Sequence, residues 1–196
     1  MRAAHAGRSR ARAATSAAFA ALVLLAACGG DEGGSDESGQ TAGPSTTVEL
    51  ASRVETFTVP PWRHVTGTVA YPQTPPVGGD HIDAWMNCGY YSQPVITEAA
   101  VHSMEHGAVW ITFRLNVPQA QKDRIKALAR SNRYVLASPW PDRSLPTPVV
   151  ASAWGVQLKA QTADDPALTA FVQMYANGPQ TPEKGAPCSG AFGNPE

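Results

Sequence analysis

Pro72, Pro75, Pro76, Gly78 and Gly79 fall within one short stretch of the chain. Proline fixes φ and removes a backbone donor, and glycine frees the backbone, so no helix or central strand is expected to run through it. From there to about Pro94 the chain is expected to be a long, ordered, irregular loop, with Trp85, Tyr90 and Tyr91 giving it a small core of its own. A loop of this length inside a compact domain is more often functional than idle.

Regular elements therefore have to lie on either side. His64–Tyr71 alternates β-branched and small residues and predicts a short strand. Thr97 is placed as the N-cap of a helix running to His106, with Gly107 as its stop. Ala108–Arg114 then alternates, with Val109, Ile111 and Phe113 on one face and Trp110 and Thr112 on the other, as a buried strand does. Pro118–Arg130 repeats apolar positions at Ile125, Leu128 and Ala129 and predicts an amphipathic helix. Tyr134–Ser138 and Val149–Leu158 read as strands and Pro166–Tyr175 as a helix, while the tail after Gly178 is rich in proline and glycine. The expected fold is α+β, a small, mainly antiparallel sheet covered by two helices and carrying the long Pro/Gly-structured loop.

At 196 residues the chain is long enough for one domain with a full core. The formal charge of -1 conceals a partition. Arg2, Arg8, Arg10 and Arg12 precede an uncharged run, and Asp31, Glu32, Asp36 and Glu37 follow it. The remainder carries eleven basic and twelve acidic residues, and such a balance argues against nucleic acid as a partner. The basic start and the apolar stretch Ala13–Ala27 have the layout of an export signal, too short for a spanning helix. That stretch closes on Leu25-Ala26-Ala27-Cys28, which resembles the lipobox of bacterial lipoproteins. The resemblance implies cleavage before Cys28 and acylation of its thiol, the alternative being a plain secreted protein. The expected organisation is a lipoprotein signal over residues 1–28, a flexible Gly/Ser/acid-rich tether over 29–47 and one globular domain over 48–196. The expected location is the extracytoplasmic face of the cell membrane, with the lipid on Cys28 (palmitate among its acyl groups) as the membrane contact. The sequence does not identify a protein partner.

Residues able to carry chemistry concentrate between positions 64 and 106. His5 leaves with the signal, and the other histidines are His64, His81, His102 and His106. His102 and His106 stand at i and i+4, so they share a helix face about 5–6 Å apart at Cβ and can reach one metal ion. With Glu105 they spell His-x-x-Glu-His, the inverted zincin pattern, in which the glutamate is a general base. The pattern fixes only three positions, and true members take a further glutamate ligand from downstream, where this chain offers only Asp123, Asp142, Asp164, Asp165 and Glu183. A histidine that merely caps the helix C-terminus is the plainer alternative. Met104 and Met86 would favour Cu(I) if they reached the imidazoles, although Met104 suits an apolar core equally well. Export leaves Cys88 and Cys188, which in an oxidising compartment form a disulfide most simply, the rival being Cys88 as a thiolate ligand beside His81.

His64-Val65, Tyr71, Pro75-Pro76, Gly79, His81, Trp85, Cys88-Gly89, Tyr91, Pro94-Val95, Glu98, Val101-His102-Ser103, Glu105-His106-Gly107 and Ala108-Val109-Trp110 together resemble the domain-of-unknown-function family numbered 3105. Val149–Leu158 and the tail Gly185-Ala186-Pro187-Cys188 are similar to it too. The resemblance implies an exported or membrane-anchored bacterial or archaeal protein and brings no activity with it. The resulting expectation is a lipid-anchored binding protein rather than an enzyme, holding copper or zinc through His81, His102 and His106. Glu105, His64, Cys88 and Met104 are the further candidate ligands. The alternatives are a metal-dependent hydrolase with Glu105 as its base, and a metal-free structural or interaction domain of the envelope.

Overall fold

The computed structural model describes residues 45–196. The signal over 1–28, the acylation of Cys28 and most of the 29–47 tether lie outside the described residues. Ten elements follow in the order α1 (Ser45–Arg53), β1 (Glu55–Thr56), β2 (Gly89–Tyr90), α2 (Thr97–Glu105), β3 (Val109–Phe113), α3 (Gln119–Ser131), β4 (Val135–Pro139), β5 (Val149–Ala153), β6 (Val156–Ala160) and α4 (Pro166–Tyr175). The strands form one sheet in the order β1-β6-β5-β3-β4-β2. No helix among the described residues is long and apolar enough to cross a membrane.

The fold is α+β, but its sheet is mixed rather than mainly antiparallel. β3 pairs with β4 in parallel because α3 carries the chain back to the starting edge between them. The loop then adds a second parallel pair, Gly89 and Tyr90 against Leu136 and Ala137. The remaining pairs, β3–β5, β5–β6 and β1–β6, are antiparallel.

Residues β3 through β6 are buried almost throughout, so both faces of the sheet are covered. Val109, Ile111, Phe113, Val135, Val149 and Leu158 face Leu50 of α1, Ile125 and Ala129 of α3 and Phe171 and Val172 of α4. On the opposite face Trp110, Leu136 and Val150 pack against Ala99, Ala100, Val101 and Met104 of α2 and against Met86, Trp140 and Trp154. The Trp110 indole donates to Ser138 Oγ at 3.0 Å, which satisfies the polar end of a buried ring.

Three local expectations change. His64–Tyr71 is not a strand: only His64 pairs, in an isolated parallel bridge with His81, and Gly67 at φ +89 turns the chain away. Val149–Leu158 is a hairpin, β5 and β6, because Gly155 at φ +72 supplies the left-handed position of a two-residue turn. The N-cap of α2 is Ile96, without a side-chain cap, and Thr97 is the first helical residue. Pro166–Tyr175 forms as expected, with Asp165 accepting from the Ala167 amide as N-cap.

Candidate metal centre

α2 is the platform. Its C-terminal turn carries His102, Ser103, Met104 and Glu105, all buried, with His106 as the C-cap. Gly107 at φ +107 ends the helix, and a Cβ there would stand 2.9 Å from Asn177 Cα, so the tail crosses close over this point. The crossing is held by hydrogen bonds from Asn177 N to Gly107 O at 2.8 Å and from Glu183 N to Glu105 O at 3.0 Å.

The loop reaches the platform from the other side. In the bridge between His64 and His81, Val65 N donates to His81 O at 2.8 Å and His81 N to Arg63 O at 3.2 Å. Ser103 fixes the next part, since its Oγ donates to Met86 O at 2.8 Å and accepts from Met86 N at 3.0 Å. Neighbouring loop and helix residues thus place His64 and His81 over His102, with ring centroids 4.8–5.0 Å apart.

Three of the four imidazoles, those of His81, His102 and His106, share one arrangement. The Nδ1 of His81 bonds the Gly79 carbonyl at 2.8 Å, that of His102 the Ile82 carbonyl at 2.8 Å, and that of His106 the Pro187 carbonyl at 2.7 Å. A carbonyl only accepts, so each Nδ1 carries hydrogen and each Nε2 is left to face inward. Inside, His81 Nε2 is 3.0 Å and His102 Nε2 is 3.8 Å from Glu105 Oε2, with His64 Nε2 at 3.9 Å. The Trp62 indole N–H donates to the other Glu105 oxygen.

One ligand atom from each of His64, His81, His102 and Glu105 lies within 4.8 Å of all the others. A second such group joins Glu105 to His106 and Glu183. His81, His102, Glu105 and His106 are each at most 4 % exposed, whereas the His64 side chain keeps 44 % of its surface in water.

The charges follow the geometry. Burial opposes a charge on His81, but its bonds to Glu105 and to the Gly79 carbonyl outweigh that cost and raise its pKa above the ordinary imidazole value. For Glu105 burial likewise favours the neutral acid, and the hydrogen bonds from His81 and Trp62 outweigh it, so its pKa is lowered. His102 goes the other way: burial, with the neighbouring histidines, lowers its pKa despite the Ile82 bond. The cluster thus pairs His81 with Glu105, while His102 Nε2 stands 3.8 Å from that carboxylate and 3.0 Å from His106 Nε2.

A family model described as Protein of unknown function (DUF3105) matches residues 64–190. The chain belongs to that family. The DUF3105 match spans every histidine of the centre, Glu105, Glu183, Pro187, Cys88 and Cys188, and leaves out Trp62. No curated protein and no solved structure matches the chain.

The candidate residues thus separate. His81 and His102 lie together with His64 and Glu105, while His106 touches His102, Nε2 to Nε2 at 3.0 Å, and belongs to the second group. Cys88 is bonded to Cys188, which removes it as a thiolate ligand. Met104 and Met86 are buried in the apolar cluster under α2, so the thioether argument for Cu(I) falls away. Of the downstream acids only Glu183 arrives. Asp165 pairs with Arg53, Asp164 with Arg124, Asp123 accepts from Gln119, and Asp142 accepts from the Ser144 amide. Sequence reasoning missed Trp62 and the three carbonyls, because a carbonyl leaves no trace in residue type. Glu183 had one signal: a Cys88–Cys188 bond draws the tail residues just before Cys188 onto the loop.

Proposed function

We propose that the protein binds one divalent transition-metal ion, zinc or copper, between His64, His81, His102 and Glu105. It does so on the extracytoplasmic face of the cell membrane, tethered by a lipid on Cys28. One observation carries the reading: His81 and His102, both buried, spend their Nδ1 hydrogens on backbone carbonyls and bring their Nε2 atoms to 3.0 and 3.8 Å from Glu105 Oε2, with His64 Nε2 at 3.9 Å from the same oxygen. Outer hydrogen bonds of this kind fix tautomer and ring direction in histidine metal sites, and nothing in ordinary core packing requires it of several rings at once. Three imidazoles and a carboxylate suit Zn(II) or Cu(II), and the loss of sulfur ligands moves the weight from Cu(I) towards these ions. The exposed side of His64 gives the ion its way in. For the anchor, the support is the run Leu25-Ala26-Ala27-Cys28 at the end of the apolar stretch.

Glu105 serves here as a ligand rather than as the base of a hydrolase. Trp62 holds one Glu105 oxygen and His81 the other in a buried setting, which fixes the carboxylate in place as a ligand must be fixed. Its lowered pKa also weakens it as a base.

Full-length protein, extracted in detergent and stripped with a chelator, should take up zinc or copper stoichiometrically by elemental analysis. Glu105→Gln and His102→Gln should each lose it. A protein that takes up neither metal, and whose thermal stability is the same in those variants with and without metal, is the metal-free envelope domain instead. Labelling of cells with radioactive palmitate tests the anchor: label on wild type and none on Cys28→Ala is expected, and an unlabelled wild type refutes it.

A further inference from the structure

The four-residue set leaves one buried group unexplained. His106 is 4 % exposed, its Nδ1 is committed to the Pro187 carbonyl at 2.7 Å, and its Nε2 faces His102 Nε2 at 3.0 Å and Glu183 Oε2 at 3.4 Å. His102 Nδ1 is committed as well, to the Ile82 carbonyl. Two imidazole nitrogens so arranged present lone pair to lone pair and can stay together only with a cation, a proton or a metal ion, to attract them. His106 lies outside the four-residue set, and its Nε2 stands between His102 and the Glu183 carboxylate.

We propose that Glu105, His106 and Glu183 form a second divalent-metal position, so that the protein carries a dinuclear centre sharing Glu105. The inference rests on the first site described above. One ligand atom from each of the three residues lies within 4.8 Å of the other two, and the backbone bond from Glu183 N to Glu105 O holds the tail in register with the helix end. An imidazole and two carboxylates are a donor set for zinc or a similar divalent ion, and a carboxylate shared between two ions is a recurrent way of holding metals close together. The two positions differ in access. Glu183 is 55 % exposed, so the second ion keeps water among its ligands and exchanges more readily than the first. Its open coordination positions face solvent, where an oxygen-donor ligand can replace that water.

Zinc titration of metal-free, full-length protein in detergent, followed by calorimetry and by elemental analysis of the dialysed product, is the test. Wild type should bind about two equivalents in a tight and a weaker step, as a paired site requires. Glu183→Gln should lose only the weaker step; the side chain is exposed, so the fold tolerates the change. His106→Gln should lose the same step. A wild type that saturates at a single equivalent overturns the second position and leaves the first standing. No uptake at all removes both. Two equivalents retained in Glu183→Gln and in His106→Gln overturn the assignment of these residues.

Discussion

The two faces of the sheet are stabilised by different means. On one, α1, α3 and α4 lay apolar side chains against β3–β6, and the contacts are aliphatic and aromatic throughout. On the other, α2 packs its small residues against Trp110, Leu136 and Val150, and the space beyond is closed by the loop and the tail. These two segments have almost no regular structure, and they are fixed by hydrogen bonds to α2 and by one disulfide. The first face holds the sheet together, and the second holds histidines and glutamates in place. Stability and site are thereby separable, since a change on one face need not be felt on the other.

The largest effect expected on the first face is that of Phe171→Ala. Phe171 is fully buried at the centre of the apolar face, and truncating such a ring costs about 3–5 kcal/mol. Denaturant unfolding should show that loss, while the metal bound per folded molecule stays at the wild-type value. Loss of metal at full folding would mean the faces are coupled.

Cys88→Ser with Cys188→Ser breaks the second face instead. The bond closes a separation of 100 residues, and its removal should cost about 2–5 kcal/mol in unfolding experiments. Here metal binding should fall too. Pro187, next to Cys188, supplies the carbonyl that orients His106, and Cys88 N bonds Cys188 O at 2.7 Å. Unclipping the tail frees His106 and Glu183 together, so the weaker zinc step should weaken most. An unchanged titration in the folded double variant would show that the tail docks without the bond.

The same contrast explains what could be read in the sequence. β3, α3 and α4 were legible because apolar periodicity is the trace that a packed face leaves. His102 and His106 were legible because i and i+4 on a helix is a geometric fact. His64 was only a reserve candidate: its place beside His81 comes from a two-residue bridge between irregular segments, and neither shows a period. The parallel pairing of β2 escaped for a related reason, since Gly89-Tyr90 is too short to alternate. The hairpin between β5 and β6 was hidden by an unbroken apolar run, in which Gly155 was the one sign of a turn.

The smallest effect sharpens the comparison from the first face. Arg53 at the end of α1 donates to both oxygens of Asp165, the N-cap of α4. The Arg53 hydrogen bond, helped by the Ala167 amide, lowers the Asp165 pKa against the opposing effect of burial. A depressed folded-state pKa means a contribution that is present above the unfolded carboxylate value, about 3.9, and lost as pH falls through the folded one. Asp165→Asn keeps an N-cap acceptor and removes the charge. Because the Arg53 side chain is 32 % exposed, the pair is screened and the variant should lose only about 1 kcal/mol at neutral pH. That difference should be flat above about pH 5 and shrink towards zero below about pH 4, as the wild-type carboxylate takes up its proton. Unfolding curves for both proteins across that range check it. A difference that persists undiminished in acid would show that the loss comes from the altered N-cap of α4 and not from the charge pairing with Arg53.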